Sequence, residues 1–91
     1  MKKKKIAILG STGSIGKSSL EIIKLNKKNF NIELLSANSN YKEICNQIKL
    51  FKPSYFVIAN YLVYVKVKSK VKNKRIKIFN NFKDIPSKLK F

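Results

Sequence analysis

The chain has 91 residues, enough for one small domain or a piece of a larger one, and sets 21 Lys and Arg against four acids for a net charge of +17. It holds no His and one Cys, Cys45. That excludes histidine base chemistry, clustered His or Cys metal ligation and an intrachain disulfide, and the apolar runs are too short to span a bilayer. Of the basic residues only Arg75 is an arginine, and Lys, Asn, Ile, Phe and Tyr, all with A/T-rich codons, make up 52 of the 91 positions. The charge therefore reads as surface filled by lysine in an A/T-rich genome, and no nucleic-acid partner is expected. Lys2 to Lys5 resemble the basic start of an export signal, but Ile6 to Leu9 is too short to complete one. With a lone thiol that suits a reducing compartment, a cytoplasmic location is expected.

Along the chain, Ile6-Ala7-Ile8-Leu9 is a continuous apolar run bounded by lysines and Gly10, the pattern of a central parallel strand covered on both faces. A dense turn signal, Gly10 to Gly16, follows. From Ser14 to Asn26 the pattern is helical, with Ile15, Ser19, Ile22 and Ile23 assigned to one face. Ile32 to Ala37 reads as a second strand. Asn40, with Glu43 three residues later, predicts a capped helix whose apolar face is Tyr41, Ile44, Cys45, Ile48 and Phe51, with Gln47 on the opposite side. Pro53 ends it.

Tyr55 to Ala59 is a third buried strand. In the next stretch Val63, Val65 and Val67 alternate with lysines, which favours a strand by period. Its place between two parallel strands demands a crossover instead, so a helix is expected. Ile76 to Phe79 is a fourth strand, and Asp84 to Phe91 a terminal turn or short helix. Strand and helix alternate throughout, so the fold class is α/β: a partial Rossmann-type parallel sheet flanked by helices.

The chemistry sits in the first turn. Gly10, Gly13 and Gly16 are spaced by three between strand and helix. The first glycine permits the turn, the second lets a pyrophosphate approach the backbone, and the third lets helix and strand pack closely. Amides at Ser14, Ile15 and Gly16 would open the helix and point at the anion, aided by the helix dipole. A P-loop is the rival reading, since Gly16-Lys17-Ser18 supplies its second half. Its first half fails because Ser11 stands where glycine is required, and no acid ends a later strand to hold Mg²⁺.

The end of the second strand bears on which dinucleotide is held. An NAD site places an acid there for the ribose 2′-hydroxyl. Here Ala37-Asn38-Ser39-Asn40 offers small polar residues, with Glu33 too early and Lys17 and Lys42 nearby, which favours NADP. Asn40 has two compatible roles, helix cap and ligand contact.

The run Lys5 to Leu20, and above all Gly10-Ser11-Thr12-Gly13-Ser14-Ile15-Gly16, resembles the amino terminus of the 1-deoxy-D-xylulose 5-phosphate reductoisomerase family. Phe30, Leu35 to Asn40 and Phe51 to Tyr55 agree in order and spacing, so the resemblance covers residues 4 to 60 and fades beyond. It implies NADPH-dependent rearrangement and reduction of 1-deoxy-D-xylulose 5-phosphate to 2-C-methyl-D-erythritol 4-phosphate, a step of non-mevalonate isoprenoid synthesis, by a homodimer with Mg²⁺ or Mn²⁺. Matched by motif, Thr12, Gly13, Ser14 and Ile15 fall on pyrophosphate-contacting positions, and Gly10, the glycine that permits the turn, is counted with the cofactor-binding residues. Asn38, Ser39 and Asn40 fall on those for the adenosine ribose and 2′-phosphate. Many members carry a basic residue at the position of Ser39 and Gly at that of Asn38. The family's metal-binding acids, substrate-phosphate site and lid lie beyond residue 91, so the chain is expected to be the first part of an NADP-binding domain with no catalytic or metal residue of its own. The alternatives are a nonfunctional remnant of such a gene, a small P-loop-like protein or a basic nucleic-acid-binding protein.

Overall fold

The computed structural model describes residues 3–86. Four strands, β1 (Lys4–Leu9), β2 (Phe30–Ala37), β3 (Tyr55–Ile58) and β4 (Lys77–Phe79), form one sheet in the order β1-β2-β3-β4, every pair parallel. The crossovers are α1 (Ser14–Leu25), α2 (Tyr41–Phe51) and α3 (Tyr61–Lys70), and a 3-10 turn covers Phe82–Asp84.

Side-chain alternation divides the sheet into two faces. Leu35, Phe56 and Ile78 stand in register across β2, β3 and β4, and with Ile32, Ala37 and Ile58 they pack against Leu20 and Ile23 of α1, Ile44 and Ile48 of α2 and Val67 of α3. This is the core. Truncating the fully buried Ile44 to Ala would destabilise it by about 2–5 kcal/mol, the usual range for a buried aliphatic. The other face carries Leu34, Val57 and a stacked Tyr55–Phe79 pair, ring centroids 6.0 Å apart. A register shift between β1 and β2 at Ile6/Ala7 leaves Glu33 without a β1 partner.

Among the described residues β1 pairs with β2 alone, Ile6 to Ile8 are half-buried and Leu9 is 65% exposed. The three later strands all add on one side of it, which leaves its other edge open in this chain. Two expectations change. On α1 the buried stripe is Gly16, Leu20 and Ile23, while Ile15 and Ile22 face out. Gly16 brings the helix so close to the turn below it that its own side becomes the inner one. On α2 the buried set is Ile44, Gln47 and Ile48, so Gln47 lies inside rather than opposite the apolar face. A 3-10 turn stands at Phe82–Asp84, and the terminal turn or helix expected over 84–91 falls largely on residues 87–91, outside those described.

The other elements follow the sequence. α2 ends at Phe51, and Lys52, just before Pro53, takes a left-handed conformation (φ 47°) that closes the helix. The valine–lysine stretch is a helix despite its period-two pattern, capped by Asn60 and with only Val67 buried. Connecting two parallel strands overrides the local β preference of its valines.

Candidate functional site

The carboxyl ends of β1, β2 and β3 meet at one rim, where a parallel α/β sheet presents its binding groups. Backbone bonds tie the rim together. Ser11 N–H donates to Ser36 O (2.8 Å), Ala59 N–H to Ala37 O (3.0 Å) and Asn60 N–H to Asn38 O (3.0 Å). Gly10 N–H also donates to Ser36 Oγ at 3.2 Å, so β2 holds the start of the glycine turn through both backbone and side chain.

Each glycine in the turn has its own structural reason. Gly10 has φ +68°, a conformation that strains any residue with a Cβ. Gly13 closes the turn by donating to Gly10 O at 3.0 Å and then serves as the N-cap of α1. A Cβ there would touch only Gly10 O, at 3.4 Å. Gly16 is buried, and a Cβ on it would collide with Gly10 O and lie 2.7 Å from Ser11 Cα. Only glycine permits that crossing of helix over turn.

The opening of α1 is where the sequence reading puts the anion. A helix begins with amides that have no acceptor inside it. Lys17 N–H donates to Gly13 O at 2.9 Å, the first intrahelical bond, and Gly13 has no side chain with which to cap Ser14, Ile15 or Gly16. These are the three amides expected from sequence. Gly13, Ser14 and Ile15 are exposed and Thr12 half-buried, with the apolar Ile15 side chain 84% exposed at the mouth. Asn38, Ser39 and Asn40, also exposed, stand on the same rim at the end of β2. Asn40 does cap α2, its Oδ1 accepting from Glu43 N–H at 3.2 Å.

Beside the rim, a cleft of ≈ 660 Å³ is lined by Lys17, Asn40, Lys42, Glu43 and Lys49 among others. It joins the first turn of α1 to α2, and Asn40 is the one member of the sequence-predicted set that lines it. All the described lysines are exposed, which suits a solvated surface. No three His, Cys, Asp or Glu residues gather into a metal site among the described residues.

The one buried polar contact that sequence reasoning missed is Gln47, whose Nε2 donates to Ser11 O at 2.8 Å. The available signal was its spacing from Ile44 and Ile48, which puts it on the inner stripe of α2.

A parallel α/β sheet whose first strand passes through a three-glycine turn into an open helix end is a Rossmann-type nucleotide-binding fold. The family model for 1-deoxy-D-xylulose 5-phosphate reductoisomerase matches residues 6–85, and the chain belongs to that family. It is 51% identical over 79 residues to the Pelagibacter ubique enzyme of that name, covering 87% of this chain and 20% of the relative. It is 43% identical over 77 residues to that of Porphyromonas gingivalis, covering 85% and 20%. Among solved structures, the Zymomonas mobilis reductoisomerase in complex with NADPH superposes with a TM-score of 0.79 at 28% identity, over 86% of this chain and 21% of that one. The chain thus spans about a fifth of the length of the relatives it matches. These matches favour neither the P-loop nor the nucleic-acid reading.

Proposed function

We propose that this chain is the first part of an NADPH-binding domain, with the remainder of that domain and the catalytic and C-terminal domains supplied by further sequence. Gly10, Thr12, Gly13, Ser14 and Ile15 would hold the diphosphate, through the amides at the start of α1. Asn38, Ser39 and Asn40 would hold the adenosine ribose and its 2′-phosphate. The observation that carries this reading is the uncapped start of α1 behind a turn in which Gly16 admits no Cβ. Residues that need only make a turn have no reason to leave three helical amides facing outward.

The chemistry of the rim supports NADPH over NADH. A carboxylate at the end of β2 would attract a ribose hydroxyl and repel a phosphate, and none stands there. Lys17 and Lys42, both lining the adjacent cleft, put positive charge beside Asn40 instead. When bound, the cofactor supplies hydride. The residues of this chain bind it, fix its diphosphate and so set the direction in which the nicotinamide extends. In the whole protein, whose relatives bear the reductoisomerase name, the reaction is conversion of 1-deoxy-D-xylulose 5-phosphate to 2-C-methyl-D-erythritol 4-phosphate by a homodimer with a divalent ion held elsewhere. One structural neighbour is a complex with NADPH, fosmidomycin and magnesium, which supports the cofactor and ion assignments for that larger protein. No helix among the described residues is long and apolar enough to cross a membrane, in keeping with a cytoplasmic enzyme.

Parallel titrations with NADPH, NADH and ATP test the reading. The expected order is NADPH tighter than NADH, with ATP weakest. Binding of ATP without binding of NADPH would overturn it.

A further inference from the structure

Resting on the cofactor reading above, the geometry points to Gln47 as a positioning residue that fixes the peptide between Ser11 and Thr12 so that the Thr12 amide faces the diphosphate. Gln47 lies in the middle of α2, 1% exposed, on the same stripe as Ile44 and Ile48. A glutamine buried on an apolar stripe needs a partner for its amide. Its Nε2 has two, Ser11 O at 2.8 Å and Glu43 Oε2 at 3.2 Å. The short approach to a carbonyl oxygen assigns the amide orientation, because a flipped side chain would set oxygen against oxygen.

Ser11 is itself fully buried and held from both sides. β2 takes its N–H through Ser36 O at 2.8 Å, and α2 takes its C=O through Gln47. The peptide that follows is trans, so its C=O and N–H point in opposite directions. With the Ser11 carbonyl drawn to α2, the Thr12 N–H of the trans peptide points the opposite way, away from α2, the side proposed for the diphosphate. If that peptide rotated, a carbonyl oxygen would take the place of a donor beside an anion. The other bonds of the turn hold the Ser11 N–H and close Gly13 onto Gly10, while the Ser11 carbonyl is held by Gln47. Gly16 depends on the same atoms, since it packs directly over Ser11 Cα and C. Gln47 is thus the point at which the second helix determines the shape of the turn before the first.

The test uses the 91-residue chain with Gln47→Met, which keeps the volume and removes the donor, and Gln47→Leu, which removes the donor with a different apolar shape. The chain has three glycines and one threonine, all between Gly10 and Gly16, so glycine- and threonine-selective ¹⁵N labelling reads that segment alone. Both variants are expected to shift or broaden the Gly13 signal and the Thr12 amide without ligand. They should weaken NADPH binding by about tenfold, equivalent to about 1.4 kcal/mol. Adenosine 2′-monophosphate has the ribose phosphate but no diphosphate, and its binding should be unchanged. Unmoved Thr12 and Gly13 amides would overturn the inference, whatever the cofactor. So would equal losses for NADPH and adenosine 2′-monophosphate, which would signal a general loosening. Failure of the unsubstituted chain to bind NADPH would instead overturn the cofactor reading and leave the amide shifts to decide the role of Gln47.

Discussion

At the start of α2 and of α3 an asparagine side chain accepts from the third amide of the helix, 3.2 Å at Asn40 and 3.0 Å at Asn60. At the start of α1 the corresponding residue is Gly13, which has nothing to offer. All three helices leave a strand at the same rim and face the same need to satisfy their first amides. Two meet it with their own side chains, as connecting helices do. The first leaves its amides uncapped, above a turn in which two glycines are sterically required. The difference separates two helix starts capped by the chain's own side chains from the one proposed to hold a diphosphate, and each substitution below acts on one side of it.

Gly16→Ala should have the largest effect. Its Cβ would meet backbone atoms of Gly10 and Ser11, which cannot swing aside like the tip of a side chain. The expected loss is about 1–3 kcal/mol, the usual range for overpacking. In a domain this small, each kcal/mol lowers the melting temperature by about 4–8 °C. NADPH binding should disappear with it, as thermal melts and titration would show.

Gly13→Asp should act mainly on binding. Aspartate is a good N-cap and would bring α1 into line with α2 and α3, so stability should hold or rise by about a few tenths of a kcal/mol relative to glycine. Its carboxylate would occupy the amides and repel the diphosphate, weakening NADPH by about tenfold or more. Unchanged affinity would mean that the mouth of α1 is not where the phosphates lie.

Gly10→Ala has open space for its methyl group but must adopt φ +68°, at about 1–2 kcal/mol of backbone strain. Stability should fall by that amount, measured by denaturant unfolding, with a smaller effect on affinity than Gly13→Asp.

The asparagine caps are the control pair. Asn40→Ala and Asn60→Ala should each lose about 1 kcal/mol of stability. Only Asn40→Ala should also weaken NADPH, because Asn60 caps a helix outside the proposed site. Equal affinities for the two variants would reduce Asn40 to a cap.

Much of this was readable from the chain. The glycine spacing, the Asn40–Glu43 cap and the stop before Pro53 are local signals, each spanning only a few residues, and local signals survive folding. The helix at Tyr61–Lys70 was readable only through topology, since its alternating valines point to a strand. What could not be read depended on distant partners. The inner stripe of α1 was misplaced because Gly16 has no side chain to register as buried, yet its closeness to Ser11 turns the helix. Gln47 looked like a solvent-facing amide because its partner, the Ser11 carbonyl, lies 36 residues earlier.

The most direct test is a titration of the ¹⁵N-labelled chain with NADPH, followed amide by amide. The account predicts the largest shifts at Ser14, Ile15 and Gly16, with a second group at Asn38 to Asn40 and little change at the capped starts of α2 and α3 beyond Asn40 itself. Shifts spread over the exposed lysines, with the three amides of α1 unmoved, would contradict it.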